Sequence, residues 1–536
     1  MNKRLASWCA LALALVSLRA QGAAVVQVAS GTLRGETETG VQAFRGIPYA
    51  APPVGALRFQ PPAPIVPWQG VREALDFMPA CPQVVERDPT ENNNSVMSED
   101  CLGLNVWTPG ADHKRRPVIV FIHGGAFIEG SARNSWYDGA RLARRGDVVL
   151  VTIQYRLGML GFLELGPVGG DAYAASGNLG ILDQVAALEW VKRNIAAFGG
   201  DPANVTLAGE SVGATSVSIL LALPQARGLF HKAIIESNSG TRVGHDYAAA
   251  GAMAQAFMKV AGAAGIADLM SMDWRQLRDA EARFFESAFG DSSFGPTWGD
   301  AVIHEPPLHA IQSGSAARVP ILIGTNLDEV RYWTAIEELP LESKPRELLR
   351  RQLATIDGAR ADDLIETYER LNGSHGEAVI QLATDALWRM AAIRLAEALC
   401  ARQPVYMYLF THRSAADGGI YGAAHAMELP FVFGGLDAQD VIAFTGRAPY
   451  RQQLMDFMQS AWLQFARSGD PGGPGAARWP RYDTTSRSTM ELGATLRVID
   501  DPLAPQRRAW EGVPFDNVSP SGAQATELLS VNEAPR

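Results

Sequence analysis

The chain has 536 residues, of which 47% are hydrophobic and 19% are charged, so it is long and apolar enough to bury a large core. Its formal net charge is −10. An acidic chain without a cluster of basic residues is a poor candidate for binding nucleic acid or an anionic membrane surface, and we expect no nucleic-acid partner.

The first 24 residues have the pattern of a secretory signal peptide. The basic stretch "MNKR" precedes the apolar run "LASWCALALALVSL", and small residues follow at Ala20, Gly22, Ala23 and Ala24. The apolar run is too short to span a bilayer comfortably, and no later segment is apolar enough, so we expect no stable membrane insertion. Removal of residues 1–24 leaves 44 basic and 57 acidic side chains, a net charge of −13. The pattern predicts a secreted or periplasmic protein.

Three cysteines remain in the mature chain: Cys81, Cys101 and Cys400. In an oxidising compartment the pair close together in sequence, Cys81 and Cys101, is the candidate disulfide, which leaves Cys400 as a buried free thiol. The sequence has no Cys-x-x-Cys or His-x-x-x-His spacing. We therefore expect no metal site, and no other cofactor is implied.

Apolar, β-branched runs alternate with helical stretches along the chain. The runs are continuously apolar, which is typical of buried parallel strands. Residues 178–199 carry apolar side chains at helical spacing and end at a pair of glycines, so they predict a helix. This alternation predicts an α/β fold, with helices on both faces of a mostly parallel sheet, as one domain over residues 25–536. The predicted strands are 117–123, 147–155, 204–209, 232–237, 319–324, 404–410 and 495–500.

A glycine-rich segment, "FIHGGAFIEG", directly follows the strand at 117–123. Gly124, Gly125 and Ala126 would present backbone N–H groups that no side chain covers. An ordinary glycine-rich turn is the alternative, but the position at the end of a strand favours a site that binds a developing oxyanion.

The segment "LAGESVGATS" places Ser211 between Gly209 and Gly213, after one predicted strand and before a stretch that can form a helix. A serine on a sharp strand-to-helix turn exposes its hydroxyl at the carboxyl edge of the sheet, in strained backbone geometry. Residues two before and two after the serine then crowd each other, which explains the glycines. This context predicts Ser211 as a nucleophile.

A serine nucleophile needs a base and an orienting acid, which follow it in the order serine, acid, histidine in this kind of fold. Three histidines lie late enough: His375 in a turn, His412 at a strand end, and His425 among small residues that let a loop approach closely. The residues favour His425 over His412. Two adjacent acids, Asp328 and Glu329, follow the strand at 319–324, and either of them could reach the histidine.

Several segments resemble the type-B carboxylesterase family, which includes bacterial para-nitrobenzyl esterases and the cholinesterases. The two signature segments are "SEDCLGLNVWTP" (98–109) and "FGGDPANVTLAGESVGA" (198–214). Further similar segments are "FRGIPYAAPPVGALRF" (44–59), "NLGILDQVAALEWV" (178–191), "GTNLDEV" (324–330) and "GAAHAMELPFVFG" (422–434). The resemblance extends from about residue 25 to about residue 515 and implies the α/β-hydrolase fold.

The resemblance also implies roles for individual residues. It assigns Ser211 as nucleophile, Glu329 as triad acid and His425 as base. It implies a Cys81–Cys101 disulfide, a structural ion pair between Arg58 and Glu99, and Glu210 as an acid beside the nucleophile that packs the turn or tunes the histidine. The oxyanion donors it implies are the backbone N–H groups of Gly125, Ala126 and Ala214.

The sequence departs from the family at Val212, where a small residue is usual, and at Gly103, where tyrosine or threonine is common. Cholinesterases carry a tryptophan that binds quaternary ammonium in the loop that corresponds to residues 81–101, and this loop has no aromatic residue. We therefore predict an exported serine esterase that acts on small neutral esters. The alternatives are a hydrolase of lactones, amides or polyester fragments, or a non-catalytic adhesion module of the same fold.

Overall fold

One large sheet organises the chain in the computed structural model, which describes residues 24–84, 96–237, 244–287, 294–336, 338–473, 478–513 and 527–529. The predicted signal peptide lies outside these residues except for Ala24. The strands are β1 (Ala24–Val28), β2 (Gly31–Glu38), β3 (Val41–Pro48), β4 (Val71–Glu73), β5 (Gly103–Thr108), β6 (Arg116–Ile122), β7 (Val149–Ile153), β8 (Gly200–Glu210), β9 (Lys232–Glu236), β10 (His245–Asp246), β11 (Thr297–Trp298), β12 (Ile321–Asn326), β13 (Val405–Phe410), β14 (Ser488–Leu492) and β15 (Leu496–Asp500).

The strand order of the main sheet is β1-β2-β3-β5-β7-β6-β8-β9-β12-β13-β14-β15, with β4 beside β2. The seven strands from β7 to β14 in this order run parallel to one another. The neighbours beyond them, β5 at one end and β15 at the other, are antiparallel. Strand β6 lies between β7 and β8, and the order of the strands reverses there. Ligands of parallel sheets bind beyond the carboxyl ends of the strands at such a point.

Six of the seven predicted strands lie within the parallel region, as expected. The seventh, predicted over 495–500 as a buried parallel strand, is wrong in this respect: β15 pairs antiparallel with β14 at the edge of the sheet, and its side chains are partly or fully exposed. The sequence reading also missed β14, whose sequence STMEL contains Ser, Thr and Glu and therefore lacks the continuous apolar run of the other parallel strands, although most of its side chains are buried. As an edge strand, β15 needs apolar side chains on one face only.

The side chains of the parallel strands divide between two apolar layers. In β6, Val118, Val120 and Ile122 belong to the core on one face of the sheet. Ile119 and Phe121 belong to the core on the other face. Because successive side chains of a strand point to opposite faces, a strand with helices on both sides must be apolar throughout. This confirms the predicted α/β class and explains the continuous apolar runs in the sequence.

Helices cover both faces. They span Ala140–Gly146, Gly158–Phe162, Gly166–Gly169, Leu179–Asn194, Val212–Ala222, Tyr247–Ala261, Ile266–Ser271, Trp274–Phe285, Pro307–Ser313, Arg331–Ile336, Arg346–Asp357, Ala361–Asn372, His375–Thr384, Met390–Cys400, Leu429–Phe433, Gln439–Thr445, Arg451–Ser468 and Ala504–Ala509, with a π-helical turn at Asp385–Arg389. The helix predicted over 178–199 is Leu179–Asn194, extended by a 3₁₀ turn that ends at Gly199 with φ 76°.

A disulfide and a buried ion pair hold the segment that leads into β5. Cys81 and Cys101 form a disulfide with an S–S distance of 2.06 Å, and Cys400 is a half-buried free thiol. The side chains of Arg58 and Glu99 form a buried, two-pronged ion pair with N–O distances of 2.6 and 2.8 Å. The disulfide confirms the predicted pairing. No helix of the described ranges combines the length and the apolar character that crossing a bilayer requires.

Candidate active site

The turn between β8 and the helix Val212–Ala222 holds the predicted nucleophile. β8 ends at Glu210, and Ser211 follows with φ 57° and ψ −125°, a conformation that a residue with a side chain rarely adopts. The Ser211 N–H donates a hydrogen bond of 2.9 Å to the carbonyl oxygen of Glu236 on the adjacent strand β9. The Ser211 side chain is partly exposed. Such strain at a strand-to-helix turn is typical of a reactive serine.

Close backbone contacts explain why the residues two before and two after Ser211 are glycines. A Cβ atom on Gly209 would lie 2.4 Å from the carbonyl carbon and oxygen of Gly213. A Cβ atom on Gly213 would lie 2.2 Å from the carbonyl oxygen of Ile122, the last residue of β6. Neither position has room for a side chain, because the tight turn presses the start of the helix against the neighbouring strand.

The glycine-rich segment lies directly against this turn. β6 pairs with β8 so that Ile122 is opposite Gly209, and a Cβ atom on Gly124 would lie 3.1 Å from the Ser211 Cβ. The backbone then turns through positive φ at Gly125 (101°) and Ala126 (52°). The N–H groups of these two residues donate to no acceptor within the described ranges.

Ala214, the third predicted oxyanion donor, lies in the first turn of the helix that follows Ser211. N–H groups of a first turn have no partner within the helix, and they form the positive end of its dipole. The structure therefore brings all three predicted donor residues into the two segments next to Ser211.

The histidine and the acid meet on loops beyond β12 and β13. His425 Nδ1 donates to Glu329 Oε2 at 2.7 Å, and the His425 backbone N–H donates to the Glu329 carbonyl oxygen at 3.2 Å. Glu329 Oε1 accepts the backbone N–H of Asn326 at 2.7 Å. With Nδ1 held in this way, Nε2 is the atom left to exchange a proton. It lies 3.1 Å from Glu210 Oε1, beside Ser211.

The other acid and the other two histidines lie elsewhere. Asp328 accepts hydrogen bonds from Gln381 Nε2 (2.7 Å), from the Ala423 N–H (3.0 Å) and from Arg413 Nη2 (3.2 Å), and so it braces the same loops from the side away from His425. His412 forms hydrogen bonds with the Tyr450 hydroxyl and with the Thr445 carbonyl oxygen. His375 forms hydrogen bonds with the Glu369 carboxylate and with the Lys344 carbonyl oxygen.

The electrostatics around His425 favour its protonated form. Burial by itself lowers the pKa of this imidazole, but the charge of Glu210, then the hydrogen bond and charge of Glu329, and finally Glu428, outweigh burial and raise the pKa to about 9. A base with this pKa is neutral, and ready to accept a proton, mainly in alkaline solution.

Sequence reasoning missed two buried acids behind the histidine, Glu236 and Glu428. Glu428 Oε2 accepts Asn326 Nδ2 at 2.5 Å, and Glu236 Oε1 accepts Trp462 Nε1 at 3.1 Å. Glu428 follows His425 by three residues, a spacing that could have drawn attention. Nothing local marks Glu236 beyond its place at the end of a buried strand.

Sequence reasoning also missed an aromatic wall, formed by Tyr332, Trp333 and Trp388, around the His425 ring. The ring centroids of Trp333 and Trp388 lie 5.2 and 5.3 Å from that of His425, and the two indoles stack on each other at 5.0 Å. Tyr332 meets the imidazole edge-on at 6.1 Å. Trp388 lies in the π-helical turn, a feature that is frequent at functional sites.

Three or more His, Cys, Asp or Glu side chains arranged to hold a metal ion do not occur in the described ranges. The arrangement around Ser211 consists instead of a strained serine, a buried histidine–carboxylate pair and free backbone N–H groups. Together with the fold, this arrangement defines the class of the protein as a hydrolase of the α/β type.

Comparisons with known proteins agree with this class. The sequence matches the profile of the carboxylesterase family over residues 22–510. It is 38% identical over 503 residues to para-nitrobenzyl esterase of Bacillus subtilis, an alignment that covers 90% of this chain and 98% of the relative. It is 33% identical over 479 residues to phenmedipham hydrolase of Pseudarthrobacter oxydans, covering 88% and 95%. The carboxylesterase of Geobacillus stearothermophilus has a similar structure, with a TM-score of 0.83 at 40% identity, covering 91% and 99%. The chain belongs to the carboxylesterase family, and it is a carboxylic ester hydrolase.

Proposed function

We propose that the protein is an exported serine esterase that hydrolyses small neutral esters through an acyl-enzyme intermediate, with Ser211, His425 and Glu329 as its triad. The observation that carries this proposal is the 2.7 Å hydrogen bond between His425 and Glu329, which lie on two separate loops. The imidazole of His425 lies 3.1 Å from Glu210, the residue before the strained Ser211. A buried pair of this kind fixes the imidazole tautomer, which is the task of the acid in a serine triad.

In the first half of the proposed reaction, Ser211 Oγ attacks the ester carbonyl carbon as its proton passes to His425 Nε2. The carbonyl electron pair moves onto oxygen, where the N–H groups of Gly125, Ala126 and Ala214 stabilise the negative charge. When the tetrahedral intermediate collapses, the bond to the alcohol oxygen breaks. His425 Nε2 then returns its proton to the departing alcohol, and the acyl group stays on Ser211.

In the second half, water takes the place of the alcohol. His425 Nε2 accepts a proton from the water as the water oxygen bonds to the acyl carbon. The bond between Ser211 Oγ and the acyl carbon then breaks, His425 returns the proton to Ser211 Oγ, and the carboxylic acid leaves. Glu329 keeps the Nδ1 proton in place during both halves and stabilises the imidazolium that forms in each. The reaction requires no cofactor.

The aromatic wall supports a partly apolar alcohol group in the substrate. The leaving alcohol must lie within reach of His425 Nε2, and this ring is packed against the indoles of Trp333 and Trp388. Ring faces bind apolar and aromatic groups well. The sequence of residues 81–101 lacks the aromatic residue with which cholinesterases bind quaternary ammonium. Most of this segment, residues 85–95, lies outside the described residues.

A fluorophosphonate probe tests the mechanism. It should label the native protein once, on the peptide that contains Ser211, because the probe requires an activated serine. Prior heat denaturation should abolish labelling. Labelling on another residue would contradict the assignment, and an unlabelled native protein would contradict the acyl-enzyme mechanism.

A panel of esters tests the substrate class. Acyl chains of short to medium length on neutral alcohols should give the highest kcat/KM, and lactones, amides and polyester fragments should give lower values. The matched pair is butyrylcholine and a neutral butyrate ester of similar alcohol size. A markedly higher kcat/KM for butyrylcholine would contradict the prediction of neutral substrates.

Export is supported by the signal-peptide pattern and by the Cys81–Cys101 disulfide, since disulfides persist in oxidising compartments. Mass spectrometry of the protein recovered from the periplasm or the culture medium tests it. The mature chain should begin within residues 21–25. Recovery of the full-length chain from the cytoplasm alone would contradict export.

A further inference from the structure

Behind His425 lie two buried carboxyl groups that the proposed mechanism does not use. Glu236, at the end of β9, is 1% exposed, and Glu428, just before the helix Leu429–Phe433, is fully buried. Each has one oxygen that accepts a hydrogen bond, from Trp462 and from Asn326 respectively. The other oxygens, Glu236 Oε2 and Glu428 Oε1, are buried with no hydrogen-bond partner in the described ranges.

Counting charges shows that this cluster must hold protons. Glu210, Glu236, Glu329 and Glu428 are all buried, and the charges of Glu210, Glu329 and Glu428 act on the single imidazole of His425. Several uncompensated negative charges in one buried cluster are costly, so such groups bind protons instead. Glu329 receives two N–H donors, and Glu210 Oε1 lies 3.1 Å from His425 Nε2.

The proton therefore belongs to the remaining pair, and its environment favours Glu236. Burial raises the pKa of Glu236 well above its ordinary value, the charges of Glu428 and Glu210 add to this, and the Trp462 hydrogen bond opposes it only in part. Burial and the charge of Glu329 raise the pKa of Glu428 to about 7, against the opposing effects of Asn326 and His425. Two interacting carboxyl groups titrate as a pair, and here Glu236 is the one that keeps its proton.

We propose that Glu236 is a positioning residue for the proposed triad, and that its protonated side chain donates a hydrogen bond to Glu428. Glu428 in turn accepts Asn326 Nδ2 at 2.5 Å, and the Asn326 backbone N–H holds Glu329 Oε1 at 2.7 Å. Glu329 orients His425. The Glu236 carbonyl oxygen meanwhile accepts the Ser211 N–H at 2.9 Å, so this one residue supports both sides of the active site.

Other groups near the pair fit this arrangement. Tyr408 on β13 has a buried hydroxyl without a hydrogen-bond partner in the described ranges, and burial together with the charges of the same acids raises its pKa well above the ordinary value. Trp462, on the helix Arg451–Ser468, can only donate. Because the indole can only donate and Glu428 is the charged acceptor, the Glu236 proton is directed toward Glu428.

Infrared spectroscopy of the free enzyme tests the protonation state without using activity. Near pH 9 the wild-type protein should show the carbonyl stretch of a protonated carboxyl, and Glu236→Gln should lose it. Glu281 provides the matched control: it is buried, its pKa is raised to about 8 by burial against a hydrogen bond from Met159, and it lies outside the cluster. Glu281→Gln should remove a band seen near pH 6 and leave the band at pH 9. Persistence of that band in Glu236→Gln would overturn the proposal.

Kinetics test the positioning role, which rests on the proposed function. Glu236→Gln keeps an acceptor for Trp462 and an N–H donor for Glu428, so kcat should fall less than about tenfold, and the acid limb of kcat/KM should stay within about 0.3 pH unit. Glu236→Leu has neither group, and loss of alignment should lower kcat by about a hundredfold with little change in KM.

Three kinetic outcomes would overturn the proposal. A shift of the Glu236→Gln acid limb to lower pH by about one unit would mean that a negative charge had been removed. Equal kcat values for the Gln and Leu variants would mean that Glu236 only fills space. If the Leu variant does not fold, a hundredfold loss in Glu236→Gln itself would mean that the donor is not what matters. A failed fluorophosphonate reaction would instead contradict the triad and leave the infrared result standing.

Discussion

The two halves of the active site are built in different ways. The nucleophile half consists of Ser211 and the glycine-rich segment, which lie at the ends of the adjacent strands β6 and β8. Backbone contacts of 2.2 to 2.4 Å that a Cβ atom would make fix its shape. The acid–base half joins Glu329 to His425, 96 residues later, through buried hydrogen bonds. The steric limits of the nucleophile half require particular residues next to each other in the sequence. The electrostatic alignment of the acid–base half depends instead on which distant side chains the fold brings together.

The largest effect should come from the nucleophile half. Ser211→Ala deletes one partly exposed hydroxyl and should reduce kcat about a million-fold, the usual consequence of losing such a nucleophile. Thermal unfolding should be nearly unchanged. The measurement is hydrolysis of a p-nitrophenyl ester by contaminant-free variant. Appreciable turnover would contradict the role of Ser211.

The next effect separates two adjacent acids in the other half. Glu329→Gln should lower kcat about ten-thousand-fold, because an amide at this position cannot hold the correct tautomer or stabilise the imidazolium. Asp328→Asn should lose far less activity, and instead should destabilise the fold by about 1–3 kcal/mol, since its carboxylate accepts three buried or partly buried hydrogen bonds. The measurements are the kcat and the denaturant unfolding of both variants. A larger loss of kcat in Asp328→Asn than in Glu329→Gln would make Asp328 the triad acid.

A third test concerns Glu210, which is the last residue of β8 in the nucleophile half but lies against His425 in the other half. Because negative charge raises the pKa of His425 to about 9, kcat/KM should rise with pH toward about 9, as the imidazole loses its proton. Glu210→Gln removes one of these charges, so the acid limb should move to lower pH by about one unit. Asp328→Asn is the control and should leave the limb in place. An unmoved limb in Glu210→Gln would mean that its charge does not act on the base.

The same pKa shift has a consequence for stability. A histidine whose pKa is higher in the folded state than its ordinary 6.5 stabilises the fold fully below pH 6.5, and this contribution is lost as the pH rises through about 9. Glu210→Gln should therefore flatten this part of the stability profile. Urea unfolding between pH 6 and 10 provides the comparison.

The smallest effect on activity should come from outside both halves. Replacing Cys81 and Cys101 with Ala removes a disulfide between residues 20 apart in sequence, which should lower the free energy of unfolding by about 3 kcal/mol. The kcat at 25 °C should change little, since neither residue contacts the triad. A loss of kcat comparable to that of the triad variants in the folded double variant would show that the segment 81–101 shapes the site directly.

Much of the fold could be predicted from the sequence because parallel strands buried on both faces are apolar throughout. Six such runs lie in the parallel region of the sheet. This reasoning failed for β14, which is buried but partly polar in sequence, and for β15, which is partly exposed and antiparallel. The glycines at 209 and 213 could also be interpreted from the sequence, because only glycine fits where a Cβ atom would lie too close to neighbouring backbone atoms.

The acids were harder to predict. Asp328 and Glu329 are chemically alike and adjacent, and only the resemblance to a family separated them in the sequence. In the structure the distinction is one of direction: Glu329 faces His425, while Asp328 faces Gln381 and the Ala423 N–H. Glu236 gave no usable signal, and Glu428 gave only its spacing of three residues from His425, because nothing local in the sequence distinguishes a buried glutamate from an exposed one.

The sequence by itself determined the α/β class, the strand-to-helix turn at Ser211 and the glycine-rich segment beside it, since each depends on neighbouring residues and on hard steric limits. Only the tertiary structure decided which carboxylate meets His425, which aromatic rings surround it, and that four buried acids share one imidazole. Those facts depend on chain segments far apart in sequence, whose meeting sets the burial and the local charge, and hence the pKa of the groups that react.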